Sequence, residues 1–73
     1  MDIPVFANSV LDGKQVREVN WPQGALLTEI QRGERRIVPR GDTLIRVGDL
    51  LIVHTPLDQH ESVRHALLKM NGS

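Results

Sequence analysis

The sequence predicts a small α/β domain of the α+β kind. Its core would be a mainly antiparallel sheet of about four strands, with a short helix after the first strand and a C-terminal helix packed on the sheet. Three observations carry this expectation. Short apolar runs broken by Pro, Gly and Asp recur from Ile3 to Val53. Leu50-Leu51-Ile52-Val53 is apolar at every position, the pattern of a strand covered on both sides. Val63, Ala66, Leu67 and Met70 then fall at i, i+3, i+4 and i+7, which lays one apolar stripe along a helix.

In chain order, Ile3 to Ala7 is short and apolar, and Pro4 lacks a ladder donor, so it reads as an edge strand or one that pairs at an oligomer interface. Asp12 followed three residues later by Gln15 resembles a capping box ahead of Val16 and Val19, which favours one or two helical turns. A strand with Arg17, Val19 and Trp21 alternating is the rival reading. Pro22 and Gly24 end this element.

From Ala25 to Arg32, Leu26, Thr28 and Ile30 alternate with Leu27, Glu29 and Gln31, the pattern of a half-buried strand. Gly33 is the natural pivot of a hairpin to Arg35-Arg36-Ile37-Val38. Gly-Asp-x-Leu-Ile occurs at 41–45 and again at 48–52. Turn chemistry accounts for both copies, which makes Asp42 and Asp49 structural residues. Thr55 is the expected N-cap of the last helix, with Pro56 in its first position and Asn71-Gly72 as its stop.

Seventy-three residues make one domain, 1–73, near the lower end of sizes that fold alone. With no cysteine, neither a disulfide nor a thiolate metal site can reinforce it, which leaves tight packing or oligomerisation and favours the second. Net charge is zero, and no apolar run approaches the roughly 20 residues of a membrane-spanning helix. Neither a general grip on nucleic acid nor direct membrane insertion is expected.

The chemistry-bearing residues exclude more than they assign. There is no Cys, no Tyr and no Ser in a nucleophile motif, so no catalytic residue is named and an enzyme is not expected. His60 and His65 miss the i, i+4 spacing of a helical metal pair, and Glu61–His65 reads as an exposed ion pair, so no metal ligand is named. Five arginines (Arg32, Arg35, Arg36, Arg40 and Arg46) lie within fifteen residues, against only Glu34 and Asp42. Two readings compete for them: a solvated strand edge that resists aggregation, or guanidinium groups that hold phosphate or carboxylate in bidentate fashion. Phe6 and Trp21 are the only aromatics, too few for a base-stacking surface. Trp21 reads as a core plug or an interface anchor.

The order of these signals resembles a known family. Gly13-Lys14-x-Val16-x-Glu18-Val19, Pro22-x-Gly24 and Ile30-x-Arg32 come first. Ile37-Val38-Pro39-x-Gly41-Asp42-Thr43-x-Ile45 and Gly48-Asp49-x-Leu51-x-Val53 follow. Together, over residues 3 to 70, they resemble the TrkA-C domain, the C-terminal subdomain of RCK-type regulators of potassium transport.

The resemblance implies a cytosolic regulatory domain that forms a homodimer and acts on the membrane transport domain of a larger channel or transporter. No Gly-rich dinucleotide fold accompanies it here, which suggests a parent that carries this domain alone. It also implies a small anionic ligand, such as cyclic di-AMP or another nucleotide, bound near the hairpin. The positions concerned are Ile30, Arg32, Ile37, Val38 and Pro39, with Arg35 and Arg36 as neighbouring cations. A ligand-free dimerisation module, and a small nucleic-acid binder using the arginine hairpin, are the alternatives.

Overall fold

Leu51 and Val53 have no solvent exposure, and the molecule is built outward from the strand that carries them. The structure is a computed structural model that describes residues 1–72. Its strands are β1 (Asp2–Pro4), β2 (Leu26–Arg32), β3 (Arg35–Ile37) and β4 (Leu50–His54), and its helix is α1 (His60–Gly72). The sheet order is β1-β4-β2-β3 and every neighbouring pair is antiparallel. β4 is therefore an interior strand, and β1, with Pro4 in it, is an edge strand as the sequence predicts. Val63 and Leu67 of α1 join Ile3, Val5, Ile30, Ile45, Leu51 and Val53 in one buried cluster, so the helix covers the Leu51/Val53 face. The opposite face holds Leu50 and Ile52 only half-buried, which corrects the expectation of a strand covered equally on both sides.

The phase of β2 is a second correction. Leu27 pairs with Val53 and Ile30 with Leu51, while Leu26, Glu29 and Gln31 oppose His54, Ile52 and Leu50. The register slips between Leu27 and Glu29. One extra residue, Thr28, is accommodated as a bulge, and its hydroxyl donates to the Ile52 carbonyl at 3.1 Å. A bulge inverts alternation beyond it, so Leu27 and Ile30 share the core face and Leu26 is left 63% exposed.

Residues 12–19 follow the helical reading in shortened form, and no strand forms over Arg17, Val19 and Trp21. A single 3-10 turn spans Val16–Glu18, and Glu18 accepts the Gln15 N–H at 2.7 Å. Asp12 is not the cap; its carboxylate accepts the Val47 N–H at 3.1 Å. Gln15 also forms an isolated antiparallel bridge with Leu44, and Val16 and Arg17 donate to Thr43 and Gly41 at 2.9 Å. Trp21 is half-buried against the core, with its indole N–H on the Val16 carbonyl at 3.0 Å, which favours the core plug.

The C-terminal helix starts and stops later than expected. A 3-10 turn, Leu57–Gln59, intervenes, with Pro56 as its cap position, so Thr55 caps nothing and α1 opens at His60. Asn71 is not a stop signal. It is buried at 1% exposure, accepts the Phe6 N–H at 3.2 Å and donates to the Pro4 carbonyl. The end of α1 thus clasps the chain leaving β1.

Candidate functional site: the basic hairpin

Two residues, Gly33 and Glu34, join β2 to β3, and the register Arg32–Arg35, Gln31–Arg36, Ile30–Ile37 leaves room for no others. Gly33 adopts φ +61°, a conformation open to glycine at little cost, as the hairpin signal required. Alternation along β3 sends Ile37 toward the core beside Ile30 and Arg36 toward the open face beside Gln31 and Leu50.

Arg32 and Arg35 oppose each other directly, an unfavourable pairing of like charges unless one is neutralised. Asp49 neutralises Arg32. The guanidinium donates from Nε to Oδ1 and from Nη2 to Oδ2, both at 2.8 Å, and from Nη2 to the Leu44 carbonyl at 2.9 Å. Asp49 is 1% exposed and also accepts the Arg46 N–H at 2.9 Å. Burial alone would push its carboxyl pKa up. The Arg32 hydrogen bonds, the Arg46 N–H and the charges of both arginines outweigh that and hold it below the usual carboxylate value. The hydrogen bonds that Arg32 donates to Asp49 likewise raise the Arg32 pKa against the effect of desolvation.

Asp49 is thus structural, as turn chemistry predicts, but its sequence twin is not equivalent. Asp42 is exposed, and it is Thr43 Oγ1 that accepts the Arg40 N–H in that turn, at 2.9 Å.

The residues expected at a ligand site therefore fall into three settings. Ile30 is wholly buried and Arg32 is occupied by Asp49 and Leu44. Ile37 and Pro39 are half-buried, while Val38 is 77% exposed. Arg35 and Arg36 are exposed and, with Gln31, Gly33 and Glu34, line a polar recess of about 210 Å³. Gln31 is the member that sequence reasoning missed. Its position opposite Arg36 follows from a two-residue hairpin, and its amide donates to Glu29 at 2.9 Å, which orients it.

The imidazoles are dispersed. His54 and His65 are exposed, and Glu61 lies nearer His60 (3.8 Å, an ion pair when that ring is protonated) than the i, i+4 reading with His65 foresaw. Among the described residues no three His, Cys, Asp or Glu side chains come together as a metal site. No described helix is long and apolar enough to cross a membrane.

The fold and hairpin define a class: a small α/β module with one helix on an antiparallel four-stranded sheet and a basic turn at the sheet's edge. Within that class the chain belongs to the TrkA-C domain family, whose model matches residues 1–68. It is 36% identical over 59 residues to a Trk system potassium uptake protein TrkA homolog of Archaeoglobus fulgidus, an alignment covering 81% of this chain and 14% of that protein. It is 39% identical over 41 residues to TrkA homolog 1 of Methanosarcina mazei, covering 56% of this chain and 9% of that protein. The chain spans only a small part of the length of these relatives. A solved RCK domain with cda superposes with a TM-score of 0.75 at 27% identity, covering 92% of this chain and 94% of that one.

Proposed function

We propose that this chain is the cytosolic regulatory domain of a potassium-transport protein, working as a homodimer, and that its β2–β3 hairpin receives a small anionic ligand such as a cyclic dinucleotide. The observation that carries the ligand is the division of labour among the arginines. Arg32 is locked by Asp49 and shapes the hairpin, while Arg35 and Arg36 stand exposed around a polar recess. The Arg36 guanidinium, on the open face beside Gln31, suits bidentate capture of phosphate, and Arg35, on the other face of β3, adds a second positive charge beside the turn. Val38 and Pro39 at the end of the strand offer apolar surface to a base, and Ile30 and Ile37 support that strand from below. Family membership and the likeness to an RCK domain with cda support the same reading. The apolar Leu50 and Ile52, half-buried on the sheet face that α1 leaves open, are compatible with association of two copies.

Calorimetric titration with cyclic di-AMP, AMP and ATP tests the ligand, and sedimentation at about 10 µM tests the dimer. Binding that falls at least tenfold in Arg36→Ala, with an unchanged urea midpoint, is the expected result. No heat from any nucleotide would leave only the assembly role, and a monomer in sedimentation would remove that too.

A further inference from the structure

A second recess lies away from the hairpin, between the loop before the 3-10 turn and the last turn of α1, and has a volume of about 280 Å³. Leu11, Val19 and Met70 line it, all members of the core cluster or packed against it, with Val10 (57% exposed) at its edge. Its polar lining consists of Lys14, Glu18 and Asn20. The walls are held in place by backbone bonds: Val10 N–H to the Met70 carbonyl at 3.3 Å, Lys14 N–H to the Leu11 carbonyl at 3.2 Å and Ile45 N–H to the Lys14 carbonyl at 2.8 Å.

The two charges here are opposite in sign, yet they do not pair. Among the described residues the ion pairs are Arg32–Asp49 and His60–Glu61, so Lys14, a half-buried residue, and the exposed Glu18 are not joined to each other. Glu18 spends Oε1 on the Gln15 N–H at 2.7 Å, which fixes the carboxylate and leaves Oε2 available. An apolar floor with a few polar groups is the usual makeup of a small-molecule site, and this volume falls just below the roughly 300–1,000 Å³ of sites for drug-sized ligands, which suits a smaller one. A purely anionic ligand would meet Glu18 and a purely cationic one Lys14. A small zwitterion with an apolar side chain satisfies both charges and the floor together.

We infer that this recess binds an apolar α-amino acid, its carboxylate on Lys14 and Asn20, its ammonium on Glu18, and its side chain against Val10, Val19 and Met70, above the fully buried Leu11. The site is independent of the hairpin and does not depend on the function proposed for it. Calorimetric titration of the full 73-residue chain with L-leucine and L-methionine tests it. The comparators are 4-methylpentanoate, which lacks the ammonium, isopentylamine, which lacks the carboxylate, and glycine, which lacks the apolar side chain. Saturable binding of leucine or methionine with a Kd of ~1 mM or tighter is expected, an affinity reachable by so small a ligand. Each comparator should bind at least tenfold more weakly.

Lys14→Met and Glu18→Gln should each weaken leucine at least tenfold with an unchanged urea midpoint, since the introduced amide retains an acceptor oxygen for the Gln15 N–H. The inference is overturned by absence of heat from both amino acids at about 10 mM. It is overturned equally by any comparator that binds as tightly as leucine, or by variants that bind as well as the parent.

Discussion

Replacing Arg32 by alanine should cost more stability than the same change at Arg35 or Arg36, the exposed arginines of the hairpin. The substitution strands a carboxylate that is 1% exposed and retains only the Arg46 N–H as a donor. Removing one partner of a buried pair costs about 3–5 kcal/mol, and because the Arg32 side chain is itself 33% exposed, water can relieve part of that penalty. About 3 kcal/mol is the expected loss.

A domain of this length has a total stability of roughly 4–11 kcal/mol, so the variant should stay folded but lie close to its threshold. With a urea slope near 1 kcal/mol/M for so small a protein, the midpoint should fall by about 3 M. Arg32→Lys keeps the charge but loses the bidentate fork, and should fall between the two at about 1.5–2 kcal/mol. The assay is urea denaturation followed by the fluorescence of Trp21, which packs half-buried against the core. An Arg32→Ala stability within about 0.5 kcal/mol of the parent would refute the assignment of Arg32 to the frame and return it to the pool of ligand residues.

Acid should act through the same pair. The Asp49 pKa is lowered on folding, so its stabilisation is complete above the unfolded carboxylate value of 3.8 and is lost as the pH falls from there through the folded value; Asp49→Asn should flatten urea midpoints over that interval. Asn71→Ala should orphan the Phe6 N–H and the Pro4 carbonyl, costing about 2–3 kcal/mol and lowering Tm by about 10–20 °C in a calorimetric scan. Gly24→Ala should cost distinctly more than Gly33→Ala. Both glycines have positive φ, worth about 1–2 kcal/mol, but at Gly24 a methyl group would also meet the Gln59 side chain, whereas at Gly33 it would enter open space. Equal midpoints for these two variants would show that the Gly24–Gln59 approach relaxes freely.

Local chemistry carried most of the architecture. The apolar run at 50–53, the i, i+3, i+4, i+7 stripe on α1 and the Gly33 turn each depend on residues close together in the chain, and each is found where the sequence places it. The family was legible for the same reason, since its motifs are turns at fixed spacing. Long-range partners decided the rest. Asp49 could be read as a turn residue, but only the pairing of β2 with β4 brings Arg32, seventeen positions away, onto it and so commits its Nε and Nη2 to the frame.

The bulge at Thr28 has no local signature, because it depends on which residues of β4 lie opposite. It exchanged Leu26 for Leu27 in the core. Asn71 looked like a helix terminator because its partners, Phe6 and Pro4, lie more than sixty residues back. The sequence by itself thus determined the elements and their turns, where the causes are propensity and periodicity. Tertiary structure alone decided which polar side chains are spent on the frame, since a buried charge or amide takes its partner from whatever the fold brings near.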